Sequence, residues 1–119
     1  PSDWVALRAD GKMLPAKEWP PRMSFDAIRI PLYLSWADPQ SALLAPWKAW
    51  MQSYPRLQTP AWINVSTNEV APWYMAGGLL AVRDLTLGEP QEAPQIDDKD
   101  DYYSASLKQL VWLAKQDQR

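Results

Sequence analysis

The stretch Ser24-Phe25-Asp26-Ala27-Ile28-Arg29-Ile30-Pro31-Leu32-Tyr33-Leu34-Ser35-Trp36 constrains the fold more than any other part of this 119-residue chain. Apolar side chains stand at 27, 28, 30, 32, 33, 34 and 36. At helical spacing they ring a helix instead of striping it, and a helix that is apolar all round belongs in an interior. The expectation is a buried helix over 24–36. Ser24 is the expected N-cap, and Asp26 falls in the first turn, where the helix dipole favours an acid. Pro31 lies inside that helix and is expected to kink it. Whatever the chain folds into must cover this helix on every side.

The rest of the chain supplies limited cover. Residues 4–14 read as a short hairpin turning at Asp10-Gly11, since both residues tolerate positive φ. Tandem Pro20-Pro21 rules out helix and leaves a loop at 17–22. Leu43, Leu44, Trp47, Trp50 and Met51 have amphipathic helical spacing, which predicts a helix over 40–53 that Tyr54-Pro55 ends. Residues 62–65 and Val70 flank Ser66-Thr67-Asn68-Glu69 as a small hairpin or extended loop. A third helix is expected over 72–86, with Pro72 at a tolerated N-terminal position. Gly77-Gly78 inside it would cost ~1 kcal/mol each relative to alanine, and the usual reason is close approach of another helix. An acidic, proline-containing loop over 88–101 leads to a fourth helix over 101–116, apolar at Leu107, Leu110, Val111, Leu113 and Ala114. Four helices give little with which to bury the 24–36 segment, and the chain opens abruptly on Pro-Ser-Asp-Trp. Residues 1–119 are therefore expected to be part of a larger globule.

Composition excludes several chemistries. The absence of cysteine and histidine removes thiol catalysis, zinc–thiolate sites and Ser-His-Asp triads. A formal net charge of −2 is wrong for a nucleic-acid binder. No apolar run approaches the ~18 residues of a membrane span. What remains is eight Trp and twelve Pro beside a single Phe. Indole rings pack well on the C–H faces of sugars, or they simply fill the core and cover helix contacts.

Three groups could carry chemistry. Asp26 is either an acid complementing the helix dipole or a general base in a low-water site. Arg29, three residues on and on the same helix face, is expected to avoid open solvent. It is either a structural partner of Asp26 or the group that orients it. Tyr102 and Tyr103 open the last helix after a long loop. They either face a cleft and bind a ligand, or one packs in the core while the other covers the loop. The Asp97–Asp101 run lacks the alternating ligands and central glycine of an EF-hand, so it reads as a solvated loop plus N-cap and not as a metal site.

The segment Ser24-Phe25-Asp26-Ala27-Ile28-Arg29-Ile30-Pro31 closely resembles the S-Y-D-A-x-R-x-P motif of glycoside hydrolase family eight. Within that family it is most similar to the endo-β-1,4-glucanases associated with bacterial cellulose synthesis. Pro1-Ser2-Asp3-Trp4-Val5 resembles the family's P-D-W segment, and Asp101-Tyr102-Tyr103-Ser104 with Leu107 resembles its late D-x-Y-Y-x-x-x-L helix start. The resemblance implies a mainly α fold, the C-terminal part of an (α/α)6 barrel with short hairpins and long loops. It implies an inverting cellulase with no cofactor and no metal, acting on β-1,4-glucan in the periplasm or outside the cell. Asp26 matches the catalytic base, and Arg29 the arginine beside it. Phe25 stands where the family usually has tyrosine, so a hydroxyl is lost. Tyr102 and Tyr103 match a late aromatic pair near the substrate. The family's general acid is a glutamate upstream of this stretch, and Glu18, Glu69, Glu89 and Glu92 have no matching context. The chain is thus expected to need the N-terminal portion of the same enzyme and to be inactive alone. The competing reading is a non-enzymatic module whose aromatic side chains bind glucan or protein.

Overall fold

The computed structural model describes residues 1–3, 5–7, 9–18, 21–24, 27–89, 95–96 and 98–117. It is mainly helical, with short antiparallel strand pairs. Strands β1 (Val5–Leu7) and β2 (Met13–Pro15) form the expected N-terminal hairpin. Gly11 in its loop adopts φ +83°, a conformation open to glycine. Strands β3 (Arg22–Met23) and β4 (Ile63–Asn64) pair across the chain. The 62–70 segment is a hairpin-like ribbon, closed by Ala71 N–H donating to the Trp62 carbonyl at 3.0 Å and Asn64 N–H to the Glu69 carbonyl at 2.7 Å. The Asn64 side chain accepts from the Ser66 and Thr67 amides, stabilising the turn.

Helix α1 spans Arg29–Ala37, five residues shorter at its start than the sequence predicts. Ile28, not Ser24, is the cap residue, and it makes no side-chain capping bond. The late start explains Pro31. As the third helical residue it lacks an N–H that would have had no partner within the helix, so it need not kink anything. The helix stops at Asp38-Pro39 because the residue before proline is forced extended; Asp38 has φ −158° and ψ 101°. Burial also departs from expectation. Pro31, Leu32 and Ser35 are buried, but Arg29 and Tyr33 are exposed. The fully buried residues of α1 thus lie on one face.

The expected 40–53 helix is a 3-10 turn over Ala42–Leu44, opened by the Ser41 hydroxyl accepting from Leu43 N–H, followed by α2 (Ala45–Gln52). Helix α3 (Gly77–Thr86) begins five residues later than predicted. The preceding residues are held extended instead: Ala61 N–H donates to the Trp73 carbonyl at 3.1 Å and Met75 N–H to the Thr59 carbonyl at 2.7 Å. Helix α4 (Tyr102–Asp117) falls where expected, with the Asp101 carboxylate accepting from Ser104 N–H at 2.7 Å as an N-cap.

Faces of α1, α3 and α4 converge on one core containing Ile28, Leu32, Val82, Leu85, Leu107, Val111 and Ala114. Each fully buried large aliphatic side chain contributes about 1.5–3 kcal/mol. The glycine pair has the reason expected of it, although it stands at the start of α3 and not in its interior. A Cβ on Gly78 would lie 2.5 Å from the Ser104 carbonyl oxygen and 2.7 Å from Leu107 Cβ. Behind this contact is a charged cluster. Asp84 accepts from Arg56 at 2.7 Å and Arg83 at 3.1 Å, and Arg83 also reaches Glu89 at 3.3 Å and the Thr59 hydroxyl at 3.2 Å. Its hydrogen bonds to Asp84, with the charges of Asp84 and Glu89, hold the Arg56 guanidinium above its ordinary pKa against a smaller loss from burial. No helix among the described residues is long and apolar enough to cross a membrane.

Candidate active site

Two features converge on the motif-bearing regions. The first is a bracket at the approach to α1. Asp3 Oδ1 accepts from Ser24 N–H at 2.9 Å and from Ala27 N–H at 2.7 Å. The Asp3 N–H in turn donates to the Arg22 carbonyl at 2.7 Å. Ser24 and Ala27 are both buried. In sequence they flank Phe25 and Asp26, which lie outside the described residues. Arg29 is exposed as the first residue of α1, contrary to the expected shelter from solvent. Helical side chains tilt toward the N-terminus, so a first-turn residue projects off the end of the packed face.

The second feature is a cleft of about 370 Å³ between the segment leading into α3 and the start of α4. Its walls include Trp73, Tyr74, Gly77, Asp100, Tyr103 and Ser104. Of the two late tyrosines, Tyr103 lines this cleft, whereas Tyr102 is 89% exposed and is not part of the lining. Trp73 and Tyr74 are each more than half exposed, which leaves ring faces open to a ligand. Sequence reasoning did not single them out. The signal was an adjacent aromatic pair just before Gly77-Gly78, hidden by assigning 72–86 to one helix.

One hydrogen-bonded chain orders the cleft floor. Gly78 N–H donates to Ser104 Oγ at 2.7 Å, Ser104 Oγ donates to Asp100 Oδ1 at 2.7 Å, and Lys108 Nζ pairs with Asp100 Oδ2. Lys108 also donates to the Gln95 carbonyl at 2.9 Å. The Asp100 side chain is 4% exposed, so this acid is not solvated as the loop reading supposed. A buried carboxylate needs such partners. Asp101 meets the N-cap half of that expectation. Asp97 lies outside the described residues, and among those described no group of three acids could hold a metal ion.

The two features are joined by stacking. The Arg22 guanidinium lies 3.9 Å over the Trp62 ring, and Trp62 meets Trp73 edge to face at 6.1 Å and 79°. Both are favourable geometries, worth about 0.5–1.5 kcal/mol each. Most described tryptophans are structural. Trp62 is buried, and Trp47 and Trp50 pack partly buried against the core. Trp36 Nε1 donates to Asp117 at 2.8 Å, tying the end of α1 to the end of α4. Trp73 is the one that opens to the cleft.

These elements have close counterparts in known proteins. The chain is 95% identical over 92 residues, 77% of its length, to an endoglucanase of Cellulomonas uda, of which it covers 26%. It superposes with a TM-score of 0.95 and 82% identity on a GH8 endo-β-1,4-glucanase from an Achatina fulica gut metagenomic library, covering 98% of this chain and 37% of that one. The endo-β-1,4-glucanase CMCax of Acetobacter xylinum matches with a TM-score of 0.84 and 37% identity, covering 98% and 38%. The chain thus spans well under half the length of each of these relatives. Its mainly helical architecture is that of the corresponding part of GH8 endoglucanase structures, as the sequence resemblance implied. The match to the family model for glycosyl hydrolases family 8 runs over residues 1–117, taking in both the Asp3 bracket and the aromatic cleft, and the chain belongs to that family.

Proposed function

We propose that this chain is the C-terminal portion of a single (α/α)6 catalytic domain of an inverting endo-β-1,4-glucanase, and that it supplies the general base. The observation that supports this most directly is the Ser24–Pro31 motif in a chain 82% identical over nearly its whole length to an endo-β-1,4-glucanase. Asp26 takes a proton from a water as that water's oxygen bonds to the anomeric carbon. The glycosidic C–O bond breaks on the opposite face, and the leaving oxygen takes a proton from a glutamic acid in the upstream portion. A β-linkage thereby yields an α-anomer. Inversion needs the two carboxyls ~6.5–9.5 Å apart, with room for the water. Arg29 helps to keep Asp26 ionised, and Phe25 contributes ring contact without the hydroxyl of the usual tyrosine. Tyr103, Trp73 and Tyr74 offer ring faces to glucosyl units in the cleft. The substrate is β-1,4-glucan, the setting is bacterial cellulose synthesis, and the site of action is periplasmic or extracellular.

The test is Asp26→Asn in the full-length protein, with carboxymethylcellulose as substrate. Hydrolysis is expected to fall by about 10²–10⁴, the usual contribution of a positioned base, while glucan binding persists. NMR of the first wild-type product should show the α-anomer. Turnover of the variant within tenfold of wild type refutes the assignment.

A further inference from the structure

We propose that Asp3 is a positioning residue for the base, holding in place the stretch of backbone from which Asp26 projects. The inference rests on the reading of Asp26 as the base. The geometry that carries it is that of one acceptor atom serving two donors. Asp3 Oδ1 receives Ser24 N–H at 2.9 Å and Ala27 N–H at 2.7 Å, from a position 21 and 24 residues earlier in the chain. Hydrogen bonds to a carboxylate are the stronger kind, roughly twice a neutral pair. Asp3 is itself fixed by its N–H on the Arg22 carbonyl, and Arg22 sits on the Trp62–Trp73 stack that walls the cleft.

This is not helix capping. A capping side chain belongs to the residue before the helix and serves the first-turn amides. Here both donors precede α1, and the α1 cap residue, Ile28, makes no side-chain bond. The carboxylate instead accepts from the N–H groups of Ser24 and Ala27, the described residues that flank Phe25 and Asp26 in sequence. Through those two flanking residues Asp3 would limit drift of the base. Drift matters because a misplacement of about 1 Å can cost on the order of 10²-fold in rate.

The experiment uses the full-length enzyme. Asp3→Ala is expected to lower kcat about 10–100-fold with KM within twofold, and Asp3→Asn, which keeps an acceptor oxygen, to recover kcat to within about threefold of wild type. Azide separates positioning from general structural damage. In Asp26→Ala, azide bonds to the anomeric carbon as the glycosidic bond breaks, and it needs no base. Adding Asp3→Ala to that variant should change glycosyl azide formation less than twofold. The proposal is overturned if Asp3→Ala keeps wild-type kcat, or if it slows the azide reaction as much as hydrolysis. Should Asp3→Ala not fold, Asp3→Glu keeps the charge and displaces the oxygens, and a folded Asp3→Glu with wild-type kcat also overturns it. Wild-type turnover by Asp26→Asn refutes the base reading whatever Asp3 does. An inactive Asp26→Asn beside a fully active Asp3→Ala refutes positioning alone.

Discussion

Replacing Gly78 with alanine sets two effects against each other, and the structure decides which prevails. Alanine is the better helix former by up to about 1 kcal/mol, so propensity alone predicts stabilisation. Against this, the added Cβ would stand 2.5 Å from the Ser104 carbonyl oxygen, 2.9 Å from Ser104 Cα and 2.7 Å from Leu107 Cβ. Carbon contacts settle at about 3.5–4.0 Å, so α3 and α4 must part by roughly 1 Å. Two of the three obstacles are backbone atoms of α4 and cannot rotate aside. Parting the helices stretches the 2.7 Å bond from Gly78 N–H to Ser104 Oγ, worth about 0.5–1.5 kcal/mol. Overpacking strain adds about 1–3 kcal/mol. Less the propensity gain, Gly78→Ala should destabilise by about 1–3 kcal/mol. The assay is the urea midpoint of the full-length protein, followed by far-ultraviolet circular dichroism. Because Ser104 also lines the cleft, KM for soluble glucan should rise with the loss of stability. A midpoint equal to or above wild type refutes the argument that close helix approach is what requires glycine here.

Two further outcomes follow from the same structure. Asp84→Ala removes the acceptor shared by Arg56 and Arg83 and leaves the buried Arg83 guanidinium short of a partner, so stability should fall by about 3–5 kcal/mol; a urea midpoint showing less than about 1 kcal/mol contradicts this. Tyr103→Ala should raise KM for cello-oligosaccharides about fivefold, from a stacking loss near 1 kcal/mol, while Tyr102→Ala changes it less than twofold; equal effects in steady-state kinetics would refute the separation of their roles.

Much of the helical layout was legible because its signals are local. The Leu107–Ala114 pattern and the Asp101 cap define α4 nearly to the residue. Gly77-Gly78 advertised a tight helix contact, although the sequence could not name Ser104 and Leu107 as the surfaces met. The starts of α1 and α3 were misread for one reason. Their preceding residues are held by partners distant in sequence, Asp3 in one case and Thr59 and Ala61 in the other, and no local propensity reports such bonds. The tyrosine pair was visible as a candidate, but only tertiary geometry puts Tyr103 in the cleft and leaves Tyr102 out of its lining. Asp3 was visible only as part of a motif, because a carboxylate accepting from two remote amides leaves no periodic trace.

The pairing of a buried and an exposed indole gives this chain an optical handle. Trp62 is 6% exposed beneath a guanidinium, while its edge-on neighbour Trp73 is 53% exposed at the cleft. Indole emission shifts to the red in water, so among the described tryptophans the most exposed ring, Trp73, weights the long-wavelength side of the spectrum. If a ligand covers Trp73 as the proposed function has it, the emission should move to shorter wavelength, with no label attached.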